Sequence, residues 1–304
     1  MANAAYESQV ALLIKVLPEI AKESCFALHG GTAINLFIRE MPRLSVDIDL
    51  TYIHIEDRAT SLENISKALA RVKKRVEKAT PLASVQHREE TSKLLISEKV
   101  AQVKVEVNQT NRGIYAPTQE LLLCGSAQEK FDAFCVMPGV SIGQLYGGKL
   151  CAALDRQHPR DLFDVKLLLE NEGFTNEIKK GFLLALLSSN RPIHELLNPN
   201  LSNQSNAFIN QFNGMTFIPF SYEEYEDTRL TLIRTIGESL DEVDKQFLLS
   251  VKNGTPDWGT YDFSEFPSIQ WKLHNLKKLR QNNPKKYQEQ KTHLEEQLGT
   301  KLSS

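Results

Sequence analysis

The chain has 304 residues, 41% of them hydrophobic and 24% charged, with 15 Gly and 12 Pro. That profile excludes disordered, collagen-like and disulfide-scaffold classes and allows one large domain or two ordinary ones. Lys and Arg total 36 against 38 Asp and Glu, so the net charge of −2 gives no global reason to expect nucleic acid or an anionic membrane.

Apolar spacing at Val10, Leu13, Ile14 and Leu17 predicts a helix over 3–23, with Pro18 as its kink or break. A short strand at 25–28 runs into Gly30, Gly31 and Thr32, where a second helix opens and ends at Pro42. Residues 46–53 alternate apolar and acidic, the pattern of a strand with one buried face. A basic helix over 57–78 precedes three β-rich stretches near 82–88, 92–97 and 100–108, and 131–138 reads as the last strand. Beyond Pro138 and Gly139 the pattern is helical. Ser141 with Gln144, and Ser221 with Glu224, form capping-box pairs on either side of a looser stretch at 188–220, and the polar tail from Lys272 is helical in pattern and frayed. The expected architecture is α+β: a mixed sheet flanked by helices over 1–138, then a mostly helical domain over 139–304.

Four scattered cysteines with no CxxC pair signal neither zinc nor disulfides and fit a reducing cytoplasm. The N-terminal apolar stretch carries Glu7 and Lys15 around it and lacks a signal-peptide pattern, and the longest clean apolar run, at 182–187, is far below the roughly 20 residues that span a bilayer. No membrane association is expected. With no heptads or large apolar repeat, a monomer is expected.

The residues that point to chemistry begin with Asp47 and Asp49, whose period-two spacing puts both carboxylates on one strand face. Hard cations such as Mg²⁺ take one or two carboxylates plus substrate phosphates, although two Asp on an exposed strand are also ordinary solvated residues. On the 100–108 strand Lys104, Glu106 and Asn108 share a face opposite three valines, so Glu106 joins the aspartates if the strands are neighbours. Gly30, Gly31 and Thr32 lie between strand and helix, where main-chain N–H groups favour an anion; a plain tight turn is the alternative. Lys149 lies beside the apolar side of its helix behind Gly147 and Gly148, each costing a helix about 1 kcal/mol, which implies a close approach to that backbone. It reads either as a lysine snorkelling along apolar surface or as a charge for phosphate. Asp161 and Asp164 face the same way, with Arg160 adjoining them, and either could orient Lys149 or simply favour the start of its helix.

HGGTAINLF with SVDIDL resembles the first motif of the DNA polymerase β-like nucleotidyltransferase superfamily, and with LYGGKLCAAL and HPRDLFDV the chain is similar to the AbiEii/AbiGii toxin family, which includes the MenT toxins. The resemblance covers about residues 25–170. It implies a nucleotidyltransferase in which Gly30, Gly31, Thr32 and Lys149 hold a nucleoside triphosphate, and Asp47, Asp49 and Glu106 hold two Mg²⁺ ions; Arg160, beside Asp161, is a further candidate for the nucleotide. Lys149 and one of Asp161 and Asp164 are also required. Glu106 stands where Asp is the commoner choice. The resemblance further implies transfer of NMP to the 3′ end of tRNA, blocking translation and growth, and a cognate antitoxin. Transfer to a protein hydroxyl, or nucleotide binding without transfer, are the alternative readings.

Local charge agrees with an RNA acceptor. Residues 66–104 hold ten Lys/Arg against four acids and 272–304 hold eight against three, whereas 221–265 hold four against eleven.

Overall fold

The computed structural model describes Ala2–Gly299. Helix α1 (Ala2–Ala21) leads into strand β1 (Phe26–His29), a short helix α2 (Gly30–Ala33) that continues as a π turn over Ile34–Ile38, strand β2 (Asp47–Tyr52) and helix α3 (Arg58–Ala79). Strands β3 (Ser84–Arg88), β4 (Lys93–Glu98), β5 (Ala101–Val107) and β6 (Gln119–Leu122), helix α4 (Gly125–Phe131) and strand β7 (Val136–Gly139) complete this part. The seven strands form one mixed sheet in the order β3-β4-β5-β2-β1-β7-β6. β2 runs parallel to β5, and β1 parallel to β7, while the other pairings are antiparallel.

The alternation read from the sequence has a direct cause here. Val103, Val105, Val107, Ile48 and Leu50 are all buried on the sheet face that α1 and α3 cover, which leaves Asp47, Asp49, Lys104 and Glu106 on the other face. α1 runs unbroken through Pro18. Ile14, Leu17 and Ile20, each at most 3% exposed, flank the proline, and their burial offsets its cost of about 3 kcal/mol. The 131–138 strand is shorter than expected: Phe131 ends α4, Asp132 closes it in the left-handed region at φ 46°, and the strand starts at Val136. β6, with one buried residue in four, was too short to show a period.

The chain forms two compact units. The first runs to Ser141 and includes Asn210–Phe220; the second comprises Ile142–Ile209 and the residues from Ser221 onward. The inserted segment joins the first unit through main-chain bonds, Leu44 N–H to Met215 O at 2.8 Å and Phe217 N–H to Pro42 O at 2.9 Å, around a bridge between Arg43 and Thr216.

In the second unit α5 (Ile142–Arg156), α6 (Pro159–Asn171), α7 (Asn176–Ser188), α8 (Ile193–Leu197), α9 (Ser205–Ala207), α10 (Tyr222–Ser239), α11 (Glu242–Asn253), α12 (Pro267–Asn282) and α13 (Pro284–Leu298) pack together without a strand among the described residues. Ser221 and Glu224 make the expected capping box at the head of α10, and Asp241 with Asp244 makes a second one on α11. The tail is not frayed over its described residues, because Tyr287, Leu294 and Leu298 of α13 are buried.

Candidate active site

Gly30 opens α2 with φ +71°, and a Cβ placed there would lie 2.4 Å from Asp49 Oδ2. Only glycine lets the turn adopt this backbone while the Asp49 carboxylate lies against it. At Gly31 a Cβ would meet Arg43 Nη2 at 2.7 Å. Thr32 is fully buried, and its hydroxyl bonds Ser45 Oγ at 3.0 Å and the main-chain oxygen of Asp47, tying the glycine turn to the first residue of β2. It is a brace for the turn.

Strand register supplies the rest. Asp49 stands between His29 of β1 and Glu106 of β5, and Asp47 stands beside Lys104. Lys104 Nζ lies 3.0 Å from Glu106 Oε2 and 4.0 Å from Asp47 Oδ1, and Lys93 Nζ from β4 lies 3.1 Å from Glu106 Oε1. Partial burial alone would raise the Glu106 pKa, but hydrogen bonds from Lys104 and Lys93 outweigh it and hold the carboxyl below its usual range. Lys104 is held above its usual value: partial burial opposes the charge, and Asp47 and Glu106 overcome that opposition. Thus Gly30, Gly31, Thr32, Asp47, Asp49 and Glu106 meet in one place in the first unit. The lysines among them were visible in the sequence only as residues of an alternating strand.

This donor set fits a hard divalent cation. Its carboxylate oxygens lie on a half-exposed face beside a space that a Cβ at Gly30 would fill. Among the described residues no group of three or more His, Cys, Asp or Glu is gathered tightly enough to hold an ion by itself. Substrate phosphate oxygens would therefore have to complete the coordination, which is the usual manner of Mg²⁺. Cysteine chemistry has no support, since burial pushes the thiols of Cys25 and Cys135 up to about 11 and that of Cys151 up to about 12.

A second cluster lies within the second unit. Lys149 of α5 is 7% exposed, and its Nζ is 2.9 Å from Asp161 Oδ1 and 3.0 Å from Asp164 Oδ2, both on α6. Arg156 adds a bond from Nε to Asp161 Oδ2 at 2.6 Å. Burial works to raise the Asp161 pKa, yet Lys149 and Arg156 drive it well below the usual carboxylate range. Both aspartates therefore grip Lys149. Arg160 stays half-buried, its main-chain N–H donates to His158 Nδ1, and its guanidinium makes no ion pair among the described residues. The arginine that reaches Asp161 is Arg156, whose spacing to it matches no helical face pair and so gave no signal. The close approach foreseen at Gly147 comes from α7: a Cβ on Gly147 would lie 2.1 Å from the carbonyl carbon of Gly181, and one on Gly181 would lie 1.8 Å from Gly143 O.

A family model described as "Nucleotidyl transferase AbiEii toxin, Type IV TA system" matches residues 11–275, which include both clusters. The chain belongs to the AbiEii family. This AbiEii protein is accordingly a nucleotidyltransferase toxin of a type IV toxin-antitoxin system, a class whose chemistry uses an NTP and a divalent metal and which implies a cognate antitoxin. Its fold is similar to that of MenT4, a nucleotidyltransferase toxin from Mycobacterium tuberculosis H37Rv, with a TM-score of 0.64 and 14% identity over 90% of this chain and 94% of that one. No curated protein sequence matches it. None of the described helices is long and apolar enough to cross a membrane.

Proposed function

We propose that this AbiEii protein transfers a nucleoside monophosphate from an NTP to the 3′ acceptor end of a tRNA in the cytoplasm, blocking translation and growth. The first unit, with its Asn210–Phe220 segment, serves as the nucleotidyltransferase core, and the second unit is the helical domain. The observation that carries the reading is the meeting of the Gly30 turn with three carboxylates on one half-exposed sheet face. A turn shaped by glycine admits phosphate oxygens to main-chain N–H groups, and carboxylates on the next strands hold the cations that such phosphates require.

In this reading Asp47 and Asp49, with Glu106, hold two Mg²⁺ ions. Bound there, the ions would acidify the attacking hydroxyl and neutralise charge on the departing pyrophosphate. Gly30 and Gly31 let the triphosphate approach, and Thr32 keeps the turn fixed to β2. Glu106 stands beside Asp49 on the neighbouring strand, in place to share in holding a cation. Lys149 offers the phosphates a positive charge, and Asp161 and Asp164 position it.

An RNA acceptor is supported by α12. Trp271 is 53% exposed and stacks on His274 with ring centroids 5.7 Å apart, while Lys277 and Lys278 are exposed further along a helix that contains no acidic residue. Aromatic faces with nearby cations suit the bases and phosphates of single-stranded RNA.

The test incubates the purified protein with total RNA and each α-labelled NTP in turn, with and without Mg²⁺. Label on tRNA, dependent on Mg²⁺, is expected. Label on protein would move the acceptor to a protein hydroxyl, and nucleotide binding without pyrophosphate release would reduce the chain to a binding module. Asp47→Asn and Asp49→Asn should each lower turnover by about a hundredfold or more with the melting temperature preserved. Full activity in Asp49→Asn would overturn the site.

A further inference from the structure

We propose that Lys104 is the resident counter-ion of the carboxylate face in the nucleotide-free protein, and that it must leave Asp47 before a divalent cation can be held there. The inference rests on the assignment of Asp47, Asp49 and Glu106 to cation binding and adds what this chain does before the substrate arrives.

Three carboxylates on adjacent strands repel one another unless positive charge lies among them. The register puts Asp49 beside Glu106 and Asp47 beside Lys104, and sets Lys93 of β4 against Glu106, so of these two lysines Lys104 is the one that stands beside Asp47. Its Nζ bridges the strands, 3.0 Å from Glu106 Oε2 and 4.0 Å from Asp47 Oδ1. The other Glu106 oxygen is taken by Lys93 at 3.1 Å, so Glu106 keeps a partner after Lys104 leaves, and the exchange need not expose a bare carboxylate.

Lys104 is also able to leave. Its side chain is 36% exposed, and an ammonium on a four-carbon stem can swing into water without losing hydration. A divalent cation arriving alone must compete with that ammonium for Asp47. One arriving with a triphosphate brings anionic oxygens that Lys104 can turn toward. Cation binding is thereby weak without nucleotide and strong with it, which limits idle loading of the site.

The test titrates nucleotide-free protein with Mn²⁺, following the free ion by electron paramagnetic resonance, and repeats the titration with a non-hydrolysable NTP analogue. Lys104→Met should tighten nucleotide-free Mn²⁺ binding by about tenfold, because one positive charge near 4 Å is removed at a half-exposed site. Lys104→Arg, which keeps the charge, should stay within about twofold of wild type. The metal-free Lys104→Met protein should melt about 3 °C lower than wild type, and saturating Mn²⁺ should close that gap.

A surface ion pair of purely structural use would instead lower the melting temperature equally with and without Mn²⁺ and leave affinity unchanged. That pair of results overturns the proposal while leaving the cation site standing. Should Asp49→Asn bind Mn²⁺ with analogue as tightly as wild type, the cation site is what has failed, whatever Lys104 does.

Discussion

Gly30 is the residue on which the geometry of the carboxylate face turns. Gly30→Ala would strain a left-handed backbone by roughly 1–2 kcal/mol and drive its methyl into Asp49 Oδ2, which must then swing away. The expected result is a modest loss of thermal stability and a loss of turnover comparable to that of Asp49→Asn, measured side by side. Lys149 shows the opposite balance. It is a buried ammonium between two buried carboxylates, so Lys149→Ala leaves unpaired buried charge and should destabilise the protein by about 3–5 kcal/mol in urea unfolding. Inactivity of that variant is therefore no proof of contact with nucleotide. The pH dependence separates the cluster's own contribution. Because the folded Asp161 pKa lies below the unfolded value of about 3.9, the ionised, paired state stabilises the protein fully above that value. As pH falls further, the unfolded chain takes up a proton that the native state refuses, and stability declines. Urea unfolding at pH 5 and pH 3 should show a smaller acid loss in Asp161→Asn than in wild type.

Element geometry explains which parts of the fold could be read in advance. β2 and β5 announced themselves because one of their faces is buried and the other polar, so burial writes a period of two into the residues. That same period located Asp47, Asp49 and Glu106. What it could not supply was register: that Asp49 neighbours Glu106, or that Lys93 from a third strand completes the group, depends on pairing that no single strand encodes. The Asn210–Phe220 segment escaped for a related reason, since the Arg43–Thr216 bridge and its main-chain bonds, which help to join it to the first unit, leave no pattern in the residues. Gly147 was legible as a point of close approach, but the approaching body, Gly181 of α7, lies 34 positions away in the chain. Since the atoms in the way are backbone, no side chain can move aside. Gly147→Ala and Gly181→Ala should each destabilise by about 1–3 kcal/mol or more in chemical denaturation, despite the roughly 1 kcal/mol that alanine adds to helix propensity.

Across the whole chain the net charge of −2 conceals where positive charge is still available. Counting residues in sequence windows gave both 66–104 and 272–304 an excess of positive charge, yet in 66–104 carboxylates occupy much of that charge. Arg71 and Arg75 bind Glu23 of the connection after α1, at 2.7 Å in each case, and Lys93 and Lys104 bind Glu106. Lys67 pairs with Glu63, and Lys73 with Glu77. A cation already held by a carboxylate has less to offer a phosphate. In α12 the balance differs: Lys272 is buried, donating to the main-chain oxygens of Ser189 and Arg191, but Lys277 and Lys278 are exposed near the Trp271 and His274 stack and have no acidic residue on their helix. An RNA acceptor should therefore depend on α12 more than on α3. Trp271→Ala should weaken binding of a tRNA acceptor-end oligonucleotide by about 1–3 kcal/mol, the usual worth of one stacked base. Lys277→Gln combined with Lys278→Gln should flatten the plot of log affinity against log salt by about 1.4, at roughly 0.7 for each phosphate no longer neutralised. Lys74→Gln with Lys78→Gln on α3 provides the comparison, and an equal or larger weakening there would return the RNA to the first unit's basic helix. Mn²⁺ affinity in the presence of the NTP analogue should be the same in all these variants, which separates acceptor binding from the carboxylate face.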